Sequence, residues 1–165
     1  MTNFPSAISS QATSFAFLRK ANEVACDEIA EGKFVTLLYA LVDAGTREVA
    51  VASAGHPPAR VVDPRGEVAS LGGTGLPLGV EADQIYAEER VRLEPGSTVV
   101  LYTDGVLEAR RDSELYGEER LDRLLAEARD LAAQDLAAEI LADCRAFAGG
   151  ELGDDCAIVC LKLAR

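Results

Sequence analysis

Between residues 34 and 102 of this 165-residue chain, six short apolar runs rich in β-branched residues follow one another, each set off by turn chemistry. Runs of four to nine residues bounded by Gly, Pro and Asp are too short for stable helices and the right length for strands. Residues 34–42 form a nearly continuous apolar run, and Asp43-Ala44-Gly45-Thr46 turns the chain into residues 48–54, predicting a β-hairpin. Residues 59–62 turn at Asp63-Pro64-Arg65-Gly66 into residues 67–71, and the chain then enters the glycine-dense Gly72-Gly73-Thr74-Gly75. Residues 85–93 alternate as a strand with one wet face, Glu94-Pro95-Gly96 turns again, and residues 98–102 run into Asp104. The middle of the chain therefore reads as an antiparallel meander.

Outside that stretch the period changes. From Ser14 onward, Phe15, Leu18, Ala21, Ala25 and Ile29 recur at helical spacing, with Gly32 just past the end. Behind Glu118 and Glu119, Leu121, Leu124, Leu125 and Ala128 line one helical face. Leu136, Ile140, Cys144 and Phe147 mark a further helix closed by Gly149-Gly150, and residues 156–163 form a last strand. Helix, about six strands, two helices and a strand predict an α+β fold, antiparallel β-sheets flanked by helices, rather than a parallel doubly wound sheet. Residues 1–13, polar and containing Pro5, read as a loose N-terminal lead-in, and residues 14–165 as a single domain with no internal repeat.

Charge and cysteine usage narrow the function. A formal net charge of -12 argues against a nucleic-acid partner, whose phosphates are neutralised by Lys and Arg. Cys26, Cys144, Cys156 and Cys160 form no CxxC pair and have no His at zinc-ligand spacing, so they read as free thiols of a reducing compartment. With no stretch of about 20 apolar residues and no charged-then-apolar leader, neither a membrane span nor export is predicted, and the cytoplasm is the expected location.

Candidate chemistry gathers at two acidic turns. Asp104 and Gly105 follow the run Val99-Val100-Leu101-Tyr102, and Gly153-Asp154-Asp155 precedes the final strand. If those strands are neighbours, Asp104 and Asp154 meet at one rim, where carboxylates suit a hard divalent cation able to activate water. Turn formation accounts for the same residues, since Asp before Gly is common in turns. His56, the single histidine, lies in Ala54-Gly55-His56-Pro57-Pro58 and suits either a general base or a loop-stabilising role. The glycines of residues 72–79 are dense enough to cradle a phosphate, yet lack the Lys-Ser/Thr of a P-loop, and a plain loop serves as well. Arg110 and Arg111, just past Asp104, are either phosphoryl contacts or solvated charges.

In order and spacing, Phe34-Val35-Thr36-Leu37-Leu38-Tyr39, Ala54-Gly55-His56-Pro57-Pro58, Gly75-Leu76-Pro77-Leu78-Gly79, Leu101-Tyr102-Thr103-Asp104-Gly105-Val106-Leu107-Glu108-Ala109, Tyr116-Gly117-Glu118-Glu119-Arg120-Leu121 and Asp154-Asp155 resemble one family. It is the bacterial sporulation-protein-E-like branch of the PPM metal-dependent Ser/Thr protein phosphatases, and the likeness runs from Ala21 to Leu163. The resemblance implies a partial α/β/β/α sandwich and two Mn2+ or Mg2+ ions whose bridging water attacks phosphoserine or phosphothreonine. By motif, Asp104 and Asp154 match metal ligands, while Gly105, Asp155 and His56 match the loops around them. The implied substrate is a phosphorylated regulatory protein of the anti-sigma-factor-antagonist type. The family's upstream Gly-Asp-x-x-Asp and Asp-x-x-Gly-His-Gly segments do not precede Ala21, so only part of the two-ion site is expected. The alternative is a catalytically inactive, truncated module used for protein binding or as a homodimer.

Overall fold

The computed structural model describes residues 14–30, 32–73 and 75–164, so the expected lead-in over residues 1–13 lies outside the described residues. Helix α1 (Ser14–Glu28) buries Leu18, Asn22 and Ala25 along one stripe. Strands β1 (Leu37–Asp43) and β2 (Glu48–Ala54) form the expected hairpin, in register from Leu37↔Ala54 to Asp43↔Glu48. The Asp43 carboxylate closes its turn by accepting from the Gly45 and Thr46 amides at 2.8 and 3.1 Å. Strands β3 (Ala59–Val62) and β4 (Val68–Leu71) form a second hairpin around Asp63, which accepts from the Arg65 and Glu67 amides. Then come β5 (Glu88–Arg92) and β6 (Thr98–Tyr102), and a two-strand hairpin of β7 (Arg110–Arg111) and β8 (Glu114–Leu115). Helices α2 (Gly117–Glu127) and α3 (Ala133–Ala148) and strand β9 (Ile158–Lys162) complete the order.

The α+β class holds, but the middle of the chain is not a plain meander. One sheet has the order β1-β2-β5 and the other β4-β3-β6-β9. The chain therefore leaves the first sheet after β2, returns to it for β5 and leaves again for β6. Burial explains the split. All of Val49 to Ala54 and all of β3 are buried, so these strands need a layer on each face. Val49 and Val51 point to the space between the sheets with Ala59, Val61, Leu71 and Val99, while Ala52 and Ala54 pack with Leu18 and Ala25 of α1. On the far side, Val62, Val100 and Tyr102 join Leu121, Leu125, Leu136 and Ile140 of α2 and α3. The layers are helix, sheet, sheet, helices.

Two expected strands are shorter than their apolar runs. Val35 makes only an isolated bridge to Leu78, so residues 34–36 pair with the 75–79 loop rather than with β2. Ile85 is 86% exposed and β5 starts at Glu88. Arg60 is buried among the layers at 1% exposure, where its guanidinium donates to Asp122 at 2.8 Å and Ser70 at 2.9 Å and pairs with Glu118 at 3.0 Å. Burial works against that charge, yet these partners outweigh it and hold Arg60 above the ordinary arginine range. No described helix is long and apolar enough to cross a membrane.

Candidate functional site

The pairing registers put one set of chain ends at a common rim. Leu37 lies opposite Ala54, Ala52 opposite Glu88, Ala59 opposite Leu71, Arg60 opposite Val100 and Tyr102 opposite Ile158. The segment 55–58 joins the two sheets at that end, so segments 34–36, 55–58, 72–73, 75–87, 103–109 and 149–157 all crown it.

Within the crown the two acidic turns are fastened to each other. Beyond the last β6–β9 pair, the Thr103 amide donates to the Ala157 carbonyl at 3.1 Å, its hydroxyl donates to the Asp155 carbonyl at 3.1 Å, and the Ala157 amide donates to that hydroxyl at 2.9 Å. Gly105 completes the contact: a Cβ there would sit 2.5 Å from the Asp155 carbonyl oxygen. Underneath, the Cys144 thiol of α3 donates to the Val106 carbonyl at 3.8 Å. Each aspartate also orders its own turn, Asp104 accepting from the Gly105 amide at 3.1 Å and Asp154 from the Asp155 amide at 2.7 Å. Asp104, Asp154 and Asp155 are exposed, so rigid backbone presents three carboxylates to solvent. A cavity of about 480 Å3 beside Asp154 and Asp155 is lined in addition by Arg145, Glu151, Leu152 and Cys156.

His56 reaches the same crown with different bonds. Its amide donates to Ser53 Oγ at 3.2 Å, Ser53 Oγ donates back to its carbonyl at 2.8 Å, and its Nδ1 lies 3.4 Å from Thr36 Oγ1. Gly55 has φ of +68°, and Pro77 stands 2.6 Å from where a Cβ would be, so this corner admits only glycine. The glycine-dense loop is not a vacant phosphate cradle. Its Gly72, Leu78 and Gly79 amides already donate to Glu89, Val35 and Asn22. Arg110 and Arg111 are both exposed, and Arg111 is committed to Glu114 at 3.0 Å and to the face of Phe147 at 4.7 Å. The four cysteines are free, with burial pushing the Cys144 thiol up to about 12 and that of Cys160 to about 11.

Sequence reasoning missed two residues. Asn22 is buried on α1 and donates to the Glu81 and Ala82 carbonyls while accepting from Gly79, which ties the 79–82 loop to the helix. A polar residue within an apolar helical stripe is its signal. Arg145 faces the cavity beside Asp154 and carries no local sequence signal.

Two carboxylates at one rim are the donors a hard cation prefers, but among the described residues no group of three or more His, Cys, Asp or Glu side chains could hold a metal ion. The described residues thus fit one part of such a centre and do not close it.

The family model for stage II sporulation protein E, SpoIIE, matches residues 2–164. Among curated proteins, the phosphoserine phosphatase RsbU of Bacillus subtilis is 27% identical over 146 residues, covering 88% of this chain and 44% of that protein. Protein IcfG of Synechocystis is 29% identical over 89 residues, covering 53% of this chain and 14% of its own length. The chain thus spans less than half the length of the curated relatives it matches. Among solved structures, the SiaA-PP2C domain of Pseudomonas aeruginosa superposes with a TM-score of 0.78 at 22% identity, covering 94% of this chain and 62% of that one. The Mn-presoaked phosphatase domain of SpoIIE from Bacillus subtilis gives a TM-score of 0.69 at 15% identity, covering 100% and 76%.

Proposed function

Because the chain belongs to the SpoIIE family of PPM-type serine/threonine phosphatase domains, we propose that it serves to remove the phosphoryl group from a phosphorylated regulatory protein of the anti-sigma-factor-antagonist type. The observation that carries this reading is the fastening of the Asp104 and Asp154 turns to each other by Thr103 and Gly105 at an exposed rim. The family is metal-dependent, and a bound Mn2+ or Mg2+ supplies activated water. Asp104 and Asp154 are the side chains offered to it, Gly105 and Asp155 hold their turns, and His56 stiffens the neighbouring corner. An ion held by two carboxylates keeps most of its waters, so a full centre needs donors beyond these. Free cysteines suit the cytoplasm.

The test is Mn2+-dependent hydrolysis of a phosphoserine protein by this chain, abolished in Asp104→Asn and Asp154→Asn. No hydrolysis at any metal concentration overturns the enzymatic reading. In parallel, calorimetric Mn2+ titration with equal heats for wild type and Asp104→Asn denies Asp104 its ligand role.

A second reading, a module that pairs with a second copy of itself, is favoured by one flank of the sandwich. Among the described residues, strands β1 and β9 each end their sheet without a neighbour, and Val42 and Leu161 line one apolar cavity of about 230 Å3 between them. Val159, on the same open edge, is 50% exposed, and Phe17 stacks on Tyr39 while remaining 47% exposed. A two-fold axis normal to the sheets would pair β1 with β1 and β9 with β9. Light scattering that finds a dimer, dispersed by Val159→Lys, supports this reading; a monomer at high concentration refutes it.

A further inference from the structure

At the end of the sheets away from the acidic rim, the core between them holds a gap. Val42 lies opposite Val49 across β1 and β2, and Val99 lies opposite Leu161 across β6 and β9. Side chains directly opposite on neighbouring strands share a face, so these two pairs are facing walls of the apolar cavity of about 230 Å3, which Leu93 and Leu163 also line. Val49, Leu93 and Val99 are buried and set the floor inside the core, whereas Val42 and Leu161 are about half exposed and mark the mouth. Short side chains leave this space. Val49 and Val99 are small for sheets packed about 10 Å apart, and among the described residues no aromatic side chain lines the gap.

The walls are held by backbone bonds, since the Leu93 amide donates to the Arg47 carbonyl at 2.8 Å and the Leu163 amide to the Ser97 carbonyl at 2.9 Å. Asp43, Arg47 and Lys162 ring the mouth. Asp43 already accepts from the Gly45 and Thr46 amides, and Lys162 Nζ donates to the Arg129 and Leu131 carbonyls at 2.5 and 2.6 Å. On the floor a water would lack the several polar partners that keep internal water in place. A dry apolar cavity of about 150 Å3 takes up benzene, so this larger one has room for such a guest.

We propose that the cavity is a binding site for a small uncharged apolar molecule, an arene or short hydrocarbon of benzene size or somewhat larger. It lies at the opposite end of the sheets from Asp104 and Asp154, so it needs no metal and does not rest on the phosphatase reading. A charged or hydroxylated guest is disfavoured, because the floor offers nothing to repay its lost hydration.

Toluene titrated into the full chain, followed by amide NMR spectra and by thermal melting, tests the site. Saturable shifts are expected at the cavity ends of β1, β2, β6 and β9, with a melting temperature that rises with toluene concentration. Phenol, of similar shape but carrying a hydroxyl, should bind about tenfold more weakly. Leu161→Phe and Val42→Phe each enlarge a side chain at the mouth and should weaken toluene binding by about tenfold or more, without lowering the melting temperature of the free protein. No saturable toluene binding to wild type overturns the site, as does phenol binding as tightly as toluene or wild-type affinity in both filled variants. Shifts confined to other surfaces of the wild-type chain overturn it without recourse to any variant.

Discussion

Two glycines in the acidic turns should respond oppositely to one added methyl group. At Gly105 the new Cβ of Gly105→Ala would lie 2.5 Å from the Asp155 carbonyl oxygen and 3.1 Å from its carbon, so relief requires backbone to move rather than a side chain to rotate. The obstructing segment is fastened by the bonds of Thr103 to Asp155 and Ala157, and stretching them forfeits one or two hydrogen bonds of about 1 kcal/mol each. Overpacking adds about 1 kcal/mol or more, and the stiffer unfolded chain returns roughly 0.5 kcal/mol. The net cost is about 2 kcal/mol, which for a domain of this size lowers Tm by roughly 4–8 °C. Gly153→Ala, in the partner turn, meets nothing within 4 Å and has no left-handed φ, so its stability should stay within about 0.5 kcal/mol of wild type. Paired thermal melts and urea titrations of the two variants decide the matter. Gly105→Ala as stable as Gly153→Ala would refute the claim that the two turns are held in fixed contact.

Other perturbations follow from groups buried beside the sheets. Asp122→Ala removes the 2.8 Å partner of the buried Arg60 guanidinium and should cost about 2 kcal/mol by urea midpoint, since Glu118 and Ser70 remain. Asn22→Ala strands the Gly79 amide and the Glu81 carbonyl under α1, and should cost about 2–3 kcal/mol while raising hydrogen exchange in residues 79–82. Burial raises the Tyr102 phenol from its ordinary 10.0 to about 12. Its stabilisation is complete below pH 10 and is lost as pH rises from 10 towards 12, because the unfolded chain ionises first, at up to about 1.4 kcal/mol per pH unit. Tyr102→Phe, which also removes a hydroxyl with no hydrogen-bond partner, should flatten that alkaline decline in urea titrations at pH 9, 10 and 11.

Local chemistry made most elements legible. Asp63-Pro64-Arg65-Gly66 marks its hairpin because Asp, Pro and Gly each favour one position of the turn, and β6 begins and ends where its apolar run does. Gly149 stops α3 in the left-handed conformation that glycine adopts freely. Sheet membership was not legible, because β3 and β5 carry no local mark of whether they pair with β2 or β6. The small β7–β8 hairpin escaped because two-residue strands have no period. Arg60 reads as a surface residue until α2, far along the chain, brings Asp122 and Glu118 to it. At the site, the acidic turns stood out by composition, whereas their contact depends on the Tyr102↔Ile158 pairing and on the carbonyl against Gly105. Arg145 carries no local mark, because only the packing of α3 against β9 brings it to the cavity beside Asp154.

The crossing of the chain between sheets bears on how the molecule comes apart. Strands β1, β2 and β5 are interleaved along the sequence with β3, β4 and β6, so neither sheet corresponds to a contiguous segment. Peeling β5 away from β2 drags on both neighbours in the opposite sheet, and the inter-sheet core of Val49, Val51, Val61 and Val99 is shared by both. Neither sheet can melt while the other keeps its packing. Loss of the acidic rim, the buried arginine and the valine core should therefore coincide in one cooperative transition, and a chain cut between β4 and β5 would leave two fragments that each hold parts of both sheets.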